Sequence, residues 1–331
     1  MRFGPVPVAE AEGAILAHSV PLAKGRLRKG RVLTGDDLTA LAAAGRDEVI
    51  VARPGPGDVA EDEAAARVAR ALVPDPAAAG LRIGNAGTGR VNLFADAVGV
   101  VEIEAGAIRR INAVDPAITV ATVPEWQKFG QAGGMAATIK IIPYAVPEAA
   151  LAEVERIAPG AMRMRPVTLS TATLIQTVVD DDDGEKGQRA IGARCDDLGV
   201  ALGPKVVIPH RTDALAEALG RADADLILIL TGSATSDPHD VGPEAVRRAG
   251  GTVERFGMPV DPGNLLFLGA LGGRPVIGLP GCARSPALNG ADWVMERVIC
   301  GVPVTGDDIA GMGVGGLLKD IPQRGRMRTA K

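Results

Sequence analysis

Five consecutive aliphatic residues, Leu226-Ile227-Leu228-Ile229-Leu230, run directly into small and hydroxyl-bearing residues, Thr231-Gly232-Ser233-Ala234-Thr235-Ser236, with Asp237 and Asp240 just beyond. An apolar run this short cannot span a bilayer and fits a strand buried on both faces. Val241 onward, V-G-P-E-A-V-R-R, then opens an amphipathic helix with Pro243 in its first turn. Strand, small-residue loop and helix N-terminus in that order present backbone N–H groups to an anion. A phosphorylated ligand is expected at this loop.

From Pro166 the pattern alternates strand and helix, which predicts a mostly parallel sheet covered by helices on both faces. Strands are expected at 166–170, 205–208, 226–230, 252–255 and 274–279, and helices near 185–198, 212–220, 241–249 and 286–299. Ligands of such sheets bind beyond the carboxyl ends of the strands. Three loops of small polar residues are expected to converge there: Ser170-Thr171-Ala172-Thr173, residues 231–236, and Pro280-Gly281-Cys282-Ala283-Arg284-Ser285.

The preceding sequence predicts smaller α/β and β-rich segments, so the fold class is α/β. Asp36-Asp37 leads into a short helix stopped by Gly45, Glu48 to Ala52 reads as a strand, and Asp58 is a candidate N-cap for an acidic-then-basic helix broken at Pro74. Residues 84–89 read as loop; strands are expected at 98–104, 118–123 and 137–143, and a helix at 147–157. The expected organisation is an amino-terminal segment (1–76), a strand-rich middle domain (77–160), a ligand-binding domain (161–305) and a carboxy-terminal tail (306–331). A chain of 331 residues suits two or three such units.

Aromatic residues make up only 2% of the chain, so its cores must rest on Ala, Val, Leu and Ile. A net charge of −4 argues against a nucleic-acid partner; the basic residues Arg324, Arg326, Arg328 and Lys331 read as a solvated terminus. There is neither an apolar signal core nor a run of 18 apolar residues, which predicts a soluble, cytoplasmic protein without a membrane partner. Cys195, Cys282 and Cys300 are scattered, as reduced thiols would be, and Cys282 reads as a small buried one. His18, His210 and His239 have no metal-ligand spacing.

Each candidate has a functional and a plain reading. The loop of Thr231, Gly232, Ser233, Ala234, Thr235 and Ser236 either cradles a phosphate with its amides and hydroxyls or is a turn of small residues that packs tightly. Asp240 either caps the following helix or ligates a Mg²⁺ bridging phosphate oxygens, since Mg²⁺ takes one or two carboxylates plus substrate oxygens. Pro280 and Gly281 allow a close backbone approach, and Arg284 can pair with phosphate or lie on the surface. The run Asp180-Asp181-Asp182-Asp183 reads as a solvated loop, one member of which could face a metal.

At these residues the chain resembles the molybdopterin-binding fold of molybdopterin adenylyltransferases and molybdopterin molybdotransferases. That family shows a strand, T-G-G with small residues, and an aspartate seven positions after the second glycine. Thr231-Gly232-Ser233 and Asp240 keep the frame, and Leu279-Pro280-Gly281-Cys282-Ala283-Arg284-Ser285 stands for L-P-G-x-P-x-S. Ala9 to Ala17 and Lys29 to Leu33 resemble the molybdotransferase amino terminus. G-R-V-N-L-F-A (89–95), A-T-I-K-I-I-P (137–143), G-M-P-V-D-P-G-N-L-L (257–266) and P-G-C-A-R-S-P (280–286) resemble the amino-terminal half of bacterial fusions with a molybdenum cofactor cytidylyltransferase. Residues 312–318 fall about where that second half would begin. Two departures stand out: the second glycine of T-G-G is Ser233, and S-x-x-D-G-Y-A is missing.

The resemblance implies binding of molybdopterin, or its adenylylated or molybdenum form, in molybdenum cofactor biosynthesis. The phosphorylated pterin would lie on residues 231–236 with Pro280, Gly281, Arg284 and Ser285, and Asp240 would be the catalytic residue and hold Mg²⁺. Two readings remain open: a molybdotransferase-like enzyme that inserts molybdenum, and a non-catalytic carrier serving a cytidylyltransferase or an apo-molybdoenzyme. A homodimer is also left open.

Overall fold

The computed structural model describes residues 1–318, so the basic residues from Arg324 to Lys331 lie outside the described residues. The chain divides into two compact units, Met1–Ala97 with Val101–Met164, and Val98–Val100 with Arg165 onward. Among the described residues no helix is long and apolar enough to cross a membrane.

The first unit holds two hydrophobic clusters. The smaller one, with Leu16, Leu33, Leu41 and Val51, accompanies an antiparallel sheet ordered Arg2–Pro7, Glu48–Arg53, Ile15–Leu16. The larger one packs helices Glu61–Leu72, Ala105–Val114 and Glu148–Ile157 with the antiparallel strands Ile118–Thr122, Met135–Ile141, Arg90–Ala95 and Leu81–Ile83. Asp58 does not cap the helix that follows it. It lies in the short strand Asp58–Ala60, accepts the Gly55 N–H at 2.7 Å and pairs with the amino-terminal ammonium at 2.7 Å, which leaves Ala60 at the cap position. Arg67 joins two of the helices, its guanidinium forked onto the carboxylates of Glu148 and Glu155 with all four contacts at 2.8 Å.

The second unit carries the expected sheet. Its elements are β1 (Thr171–Val178), α1 (Glu185–Asp196), β2 (Ala201–Leu202), β3 (Val206–Pro209), α2 (Thr212–Arg221), β4 (Leu226–Leu230), α3 (Val241–Arg248), β5 (Thr252–Phe256), β6 (Phe267–Leu271), β7 (Arg274–Leu279), α4 (Gly290–Ile299) and α5 (Gly306–Gly311). The order across the sheet is β2-β1-β4-β7-β6-β5, and β3 also pairs with β1. Pairings among β1, β2, β3, β4 and β7 are parallel, while β6 joins β7 and β5 antiparallel.

All five residues of β4 are fully buried. Leu226, Leu228 and Leu230 enter a cluster with Ile191 and Cys195 of α1 and Val294, Met295 and Ile299 of α4. Ile227 and Ile229 enter the opposite cluster, with Leu215 and Leu219 of α2 and Ala245 and Val246 of α3. The packed chain runs past residue 305, because Ile309 of α5 and Met312 also enter the first of these clusters.

The strand expected at 166–170 lies instead at Thr171–Val178. Residues 172–175 alternate across the sheet, with Ala172 and Leu174 on one face and Ile175 on the other, so this run, and not 166–170, can be buried on both sides. Ala172 pairs with Leu226 and Gln176 with Leu230, which puts Ser170 to Thr173 at the amino end of the sheet. Four strand steps, roughly 13 Å, separate that segment from the carboxyl edge, so it does not converge with residues 231–236 and 280–285.

Ser170 and Thr171 instead serve as a splint. The Asp225 carboxylate accepts the N–H of both residues and the Ser170 hydroxyl, each at 2.9 Å, and the Thr171 hydroxyl accepts the Asp225 N–H at 3.0 Å. The hydrogen bonds from Ser170 and Thr171 draw the Asp225 carboxyl from the ordinary 3.8 down to about 2. A depressed folded-state value stabilises the fold above the unfolded value, and that contribution is lost as pH falls toward the folded one. Asp225→Asn is therefore expected to be less stable than the wild type at neutral pH, with the gap closing between about pH 4 and pH 2. Urea denaturation across that range measures it.

Candidate functional site

The order of β1, β4 and their neighbours creates a switch point. The chain leaves β1 toward β3 on one side and returns through α2 to β4 on the other, and the carboxyl ends of β1 and β4 are where sheets of this kind hold their ligands. The loop of residues 231–236 starts there, and the loop of 280–285 follows the carboxyl end of β7, which pairs with β4 through Leu230 and Leu279. Two of the three expected loops are therefore brought together.

Arg284 couples them directly, donating from one guanidinium nitrogen to the Thr231 carbonyl at 3.0 Å. It lies at the end of the short 3-10 turn Gly281–Arg284, with Pro280 buried and Gly281 exposed. Ser285 closes the turn by accepting the Ala287 N–H on its hydroxyl at 3.2 Å. From below, Arg194 of α1 grips the same loop, donating to the carbonyls of Ala283 at 3.1 Å, Ser285 at 2.9 Å and Ala287 at 3.2 Å, and to the Asp292 carboxylate. The sequence pattern gives no sign of Arg194, because its partners lie about ninety positions away.

Within residues 231–236 the side chains divide into two sets. Thr231 and Thr235 are buried; the Thr231 hydroxyl lies 2.6 Å from the Ser233 carbonyl, to which it donates, and 3.2 Å from the Thr235 hydroxyl. They hold the loop's shape. Gly232, Ser233, Ala234 and Ser236 are exposed, so a ligand would meet the backbone of 233–234 and the hydroxyls of Ser233 and Ser236.

Gly232 is required by its surroundings. A Cβ there would stand 2.7 Å from the Thr177 carbonyl oxygen and 2.9 Å from the Val178 Cα, both backbone atoms of β1. Its N–H donates to the Thr177 hydroxyl at 3.0 Å, and that hydroxyl lies 2.7 Å from Nδ1 of His210. Beside it, the buried Gln176 donates to the Gly184 carbonyl at 2.8 Å, and Gly187 of α1 lies so close that a Cβ would collide with Gln176 Oε1. Thr177, Gln176 and His210 are neighbours of the site that the sequence reading missed. The polar pair Gln176-Thr177 near the end of an apolar strand is the available signal, and a strand set at 166–170 leaves it outside the sheet.

Asp240 is the N-cap of α3. One carboxylate oxygen accepts the Val241 N–H at 2.7 Å and the other the Ser236 N–H at 3.0 Å, so the side chain staples the end of the loop to the helix. Asp237 makes a local turn with the His239 N–H at 2.8 Å. In the acidic run, Asp182 and Asp183 accept the N–H groups of Gly184 and Glu185, both at 2.9 Å, at the start of α1. Among the described residues no three His, Cys, Asp or Glu side chains gather as a set able to hold a metal ion.

Cys282 is exposed, against the expectation of a buried thiol; in its 3-10 turn Ala283 takes the inward position. Cys195 and Cys300 are buried, and desolvation pushes each thiol up to about 11. A groove of about 600 Å³ lies in the first unit, lined by Arg110, Val114, Glu153 and Arg156 among others, and includes none of the residues singled out above.

Gly232→Ala is expected to lower the unfolding free energy by about 1–3 kcal/mol, the usual cost of forced overpacking. Ser233→Ala, at an exposed position, should stay within about 0.5 kcal/mol of the wild type. Equal stabilities of the two variants in chemical denaturation would show that the close approach of Gly232 to β1 is not a constraint.

Residues 175–298 match a family described as a probable molybdopterin binding domain, a span containing both loops, Thr177, His210 and Asp240. Residues 5–53 match a domain of unknown function. No curated protein matches the chain. Among solved structures, the molybdopterin biosynthesis MoeA protein from Pyrococcus horikosii aligns over 94% of this chain and 76% of its own, with 14% identity and a TM-score of 0.30. The chain thus holds, over residues 175–298, a segment similar to molybdopterin-binding domains.

Proposed function

We propose that the second unit binds molybdopterin, or its adenylylated or molybdenum form, through the loops 231–236 and 280–285, as a step in molybdenum cofactor biosynthesis. The observation that carries this reading is the match of residues 175–298 to a molybdopterin-binding domain, since that span delivers both loops to one edge of the sheet. The terminal phosphate is assigned to the exposed backbone of 233–234, with Ser233 and Ser236 as hydroxyl donors. Arg284 contributes positive charge from a position fixed on Thr231.

Mg²⁺ fits this arrangement through Asp240. Each of its oxygens accepts one N–H, leaving lone-pair capacity, and an ion held mainly by phosphate oxygens and water needs only one or two carboxylates. When bound, the ion would neutralise charge on the phosphate.

The contacts of Asp240 and the inward-turned hydroxyls of Thr231 and Thr235 nevertheless serve the loop's own structure. They support binding ahead of turnover, and so favour a carrier that hands the cofactor to a cytidylyltransferase or an apo-molybdoenzyme over an enzyme that inserts molybdenum. Incubation with adenylylated molybdopterin, molybdate and Mg²⁺ separates the two: tight binding without conversion selects the carrier.

Two substitutions probe the site. Ala234→Leu adds volume where a phosphate would touch exposed backbone, and is expected to weaken molybdopterin binding by about 2 kcal/mol, the scale of one or two charge-assisted hydrogen bonds. Its Tm should change little, because the position lies outside the core. Asp240→Asn can accept only one of the two N–H groups, so it should cost about 1 kcal/mol of stability and abolish any Mg²⁺ dependence of molybdopterin affinity. Calorimetric titration with and without Mg²⁺ reads both effects, and failure of the wild type to bind molybdopterin would end the proposal.

A further inference from the structure

We propose that His210 is a positioning residue for the 231–236 loop, acting on Gly232 through the hydroxyl of Thr177. The inference rests on the reading of that loop as the phosphate site, and it names a residue outside the loop on which the affinity of the site depends.

The Thr177 hydroxyl is completely buried and carries a single hydrogen. The Gly232 N–H donates to its oxygen at 3.0 Å, and Nδ1 of His210 lies 2.7 Å from the same atom. A buried O–H requires an acceptor. Among the hydrogen bonds of the described residues, Nδ1 is the partner that can serve, so Thr177 donates to His210 and the imidazole carries its proton on Nε2. That donation aims an oxygen lone pair at Gly232. His210 is itself fixed at the end of β3: its N–H donates to the Val178 carbonyl at 2.8 Å, and Ile208 and Pro209 before it pair with Thr177 and Val178. The chain of positions therefore runs from β3, through His210 and Thr177, to the loop's glycine, Gly232.

Gly232 lies so close to β1 that a Cβ has no room there. If Nδ1 is removed, the Thr177 hydroxyl must rotate to find another acceptor, and its lone pair turns away from the Gly232 N–H. The loop then loses one of its two anchors at the end nearest the switch point, keeping that of Arg284 on Thr231, while the cap by Asp240 still holds the other end.

The test compares His210→Ala with His210→Asn, because the Asn side-chain oxygen can stand close to the place of Nδ1. In the ligand-free full-length protein, the Gly232 amide proton resonance should move upfield in His210→Ala and stay near its wild-type position in His210→Asn. Titration with molybdopterin should show about a tenfold loss of affinity in His210→Ala, the worth of one hydrogen bond, and wild-type affinity in His210→Asn. Thr177→Val should reproduce the loss, and adding His210→Ala to it should cost nothing more, since both act along one path. An unmoved Gly232 resonance in His210→Ala, or equal affinity in wild type and His210→Ala, overturns the inference alone. A wild type that does not bind molybdopterin overturns the proposed function and this inference with it.

Discussion

Every residue of Leu226–Leu230 is removed from solvent, and successive side chains reach clusters on opposite faces of the sheet. Full burial of one such side chain is worth about 1.5–3 kcal/mol, so neither face of this strand can be left to water. Covering both faces demands helices on both, and connections that carry a helix from face to face give parallel neighbours. The parallel order of β1, β4 and β7 follows, and with it the gathering of the loops after these strands at one edge.

What fixes the loops at that edge is a set of polar contacts between segments distant in sequence. Arg194 holds the loop after β7 by three carbonyls and ties it to the start of α4 through Asp292. Arg284 then binds that loop to the one after β4. Guanidinium groups suit this work because several N–H donors leave a rigid plane in fixed directions, which satisfies carbonyls of irregular backbone that a helix or sheet would otherwise pair. The loop after β4 also spends its own side chains on its shape, through Thr231, Thr235 and Asp240. Its exposed backbone is thereby preorganised, and an anion placed there would not have to order it.

The sequence disclosed the loops more accurately than their surroundings. Residues 231–236 and 280–285 follow unmistakable apolar strands, so their position at the carboxyl edge could be inferred from local pattern alone. Ser170 to Thr173 has the same composition yet lies at the other end of the sheet, because small hydroxyl residues suit a carboxylate splint as readily as an anion cradle; only the partner, Asp225, distinguishes them. Cys282 shows the same limit, since the choice between Cys282 and Ala283 as the inward residue depends on the 3-10 turn.

The sequence by itself determined the α/β class, the buried strand and its loop, and the helix behind it, because apolar periodicity and helix-end chemistry act between residues a few positions apart. It also carried the frame in which Asp240 stands a fixed distance beyond Thr231 and Gly232. Only the tertiary structure decided which hydroxyls turn inward, which end of β1 meets the loop of 231–236, and that Thr177, His210 and Arg194 lie in the hydrogen-bond networks of the two loops. These depend on strand order and on hydrogen bonds spanning tens of residues, such as the one between Thr177 and His210, and no local pattern records which distant group a buried polar atom will find.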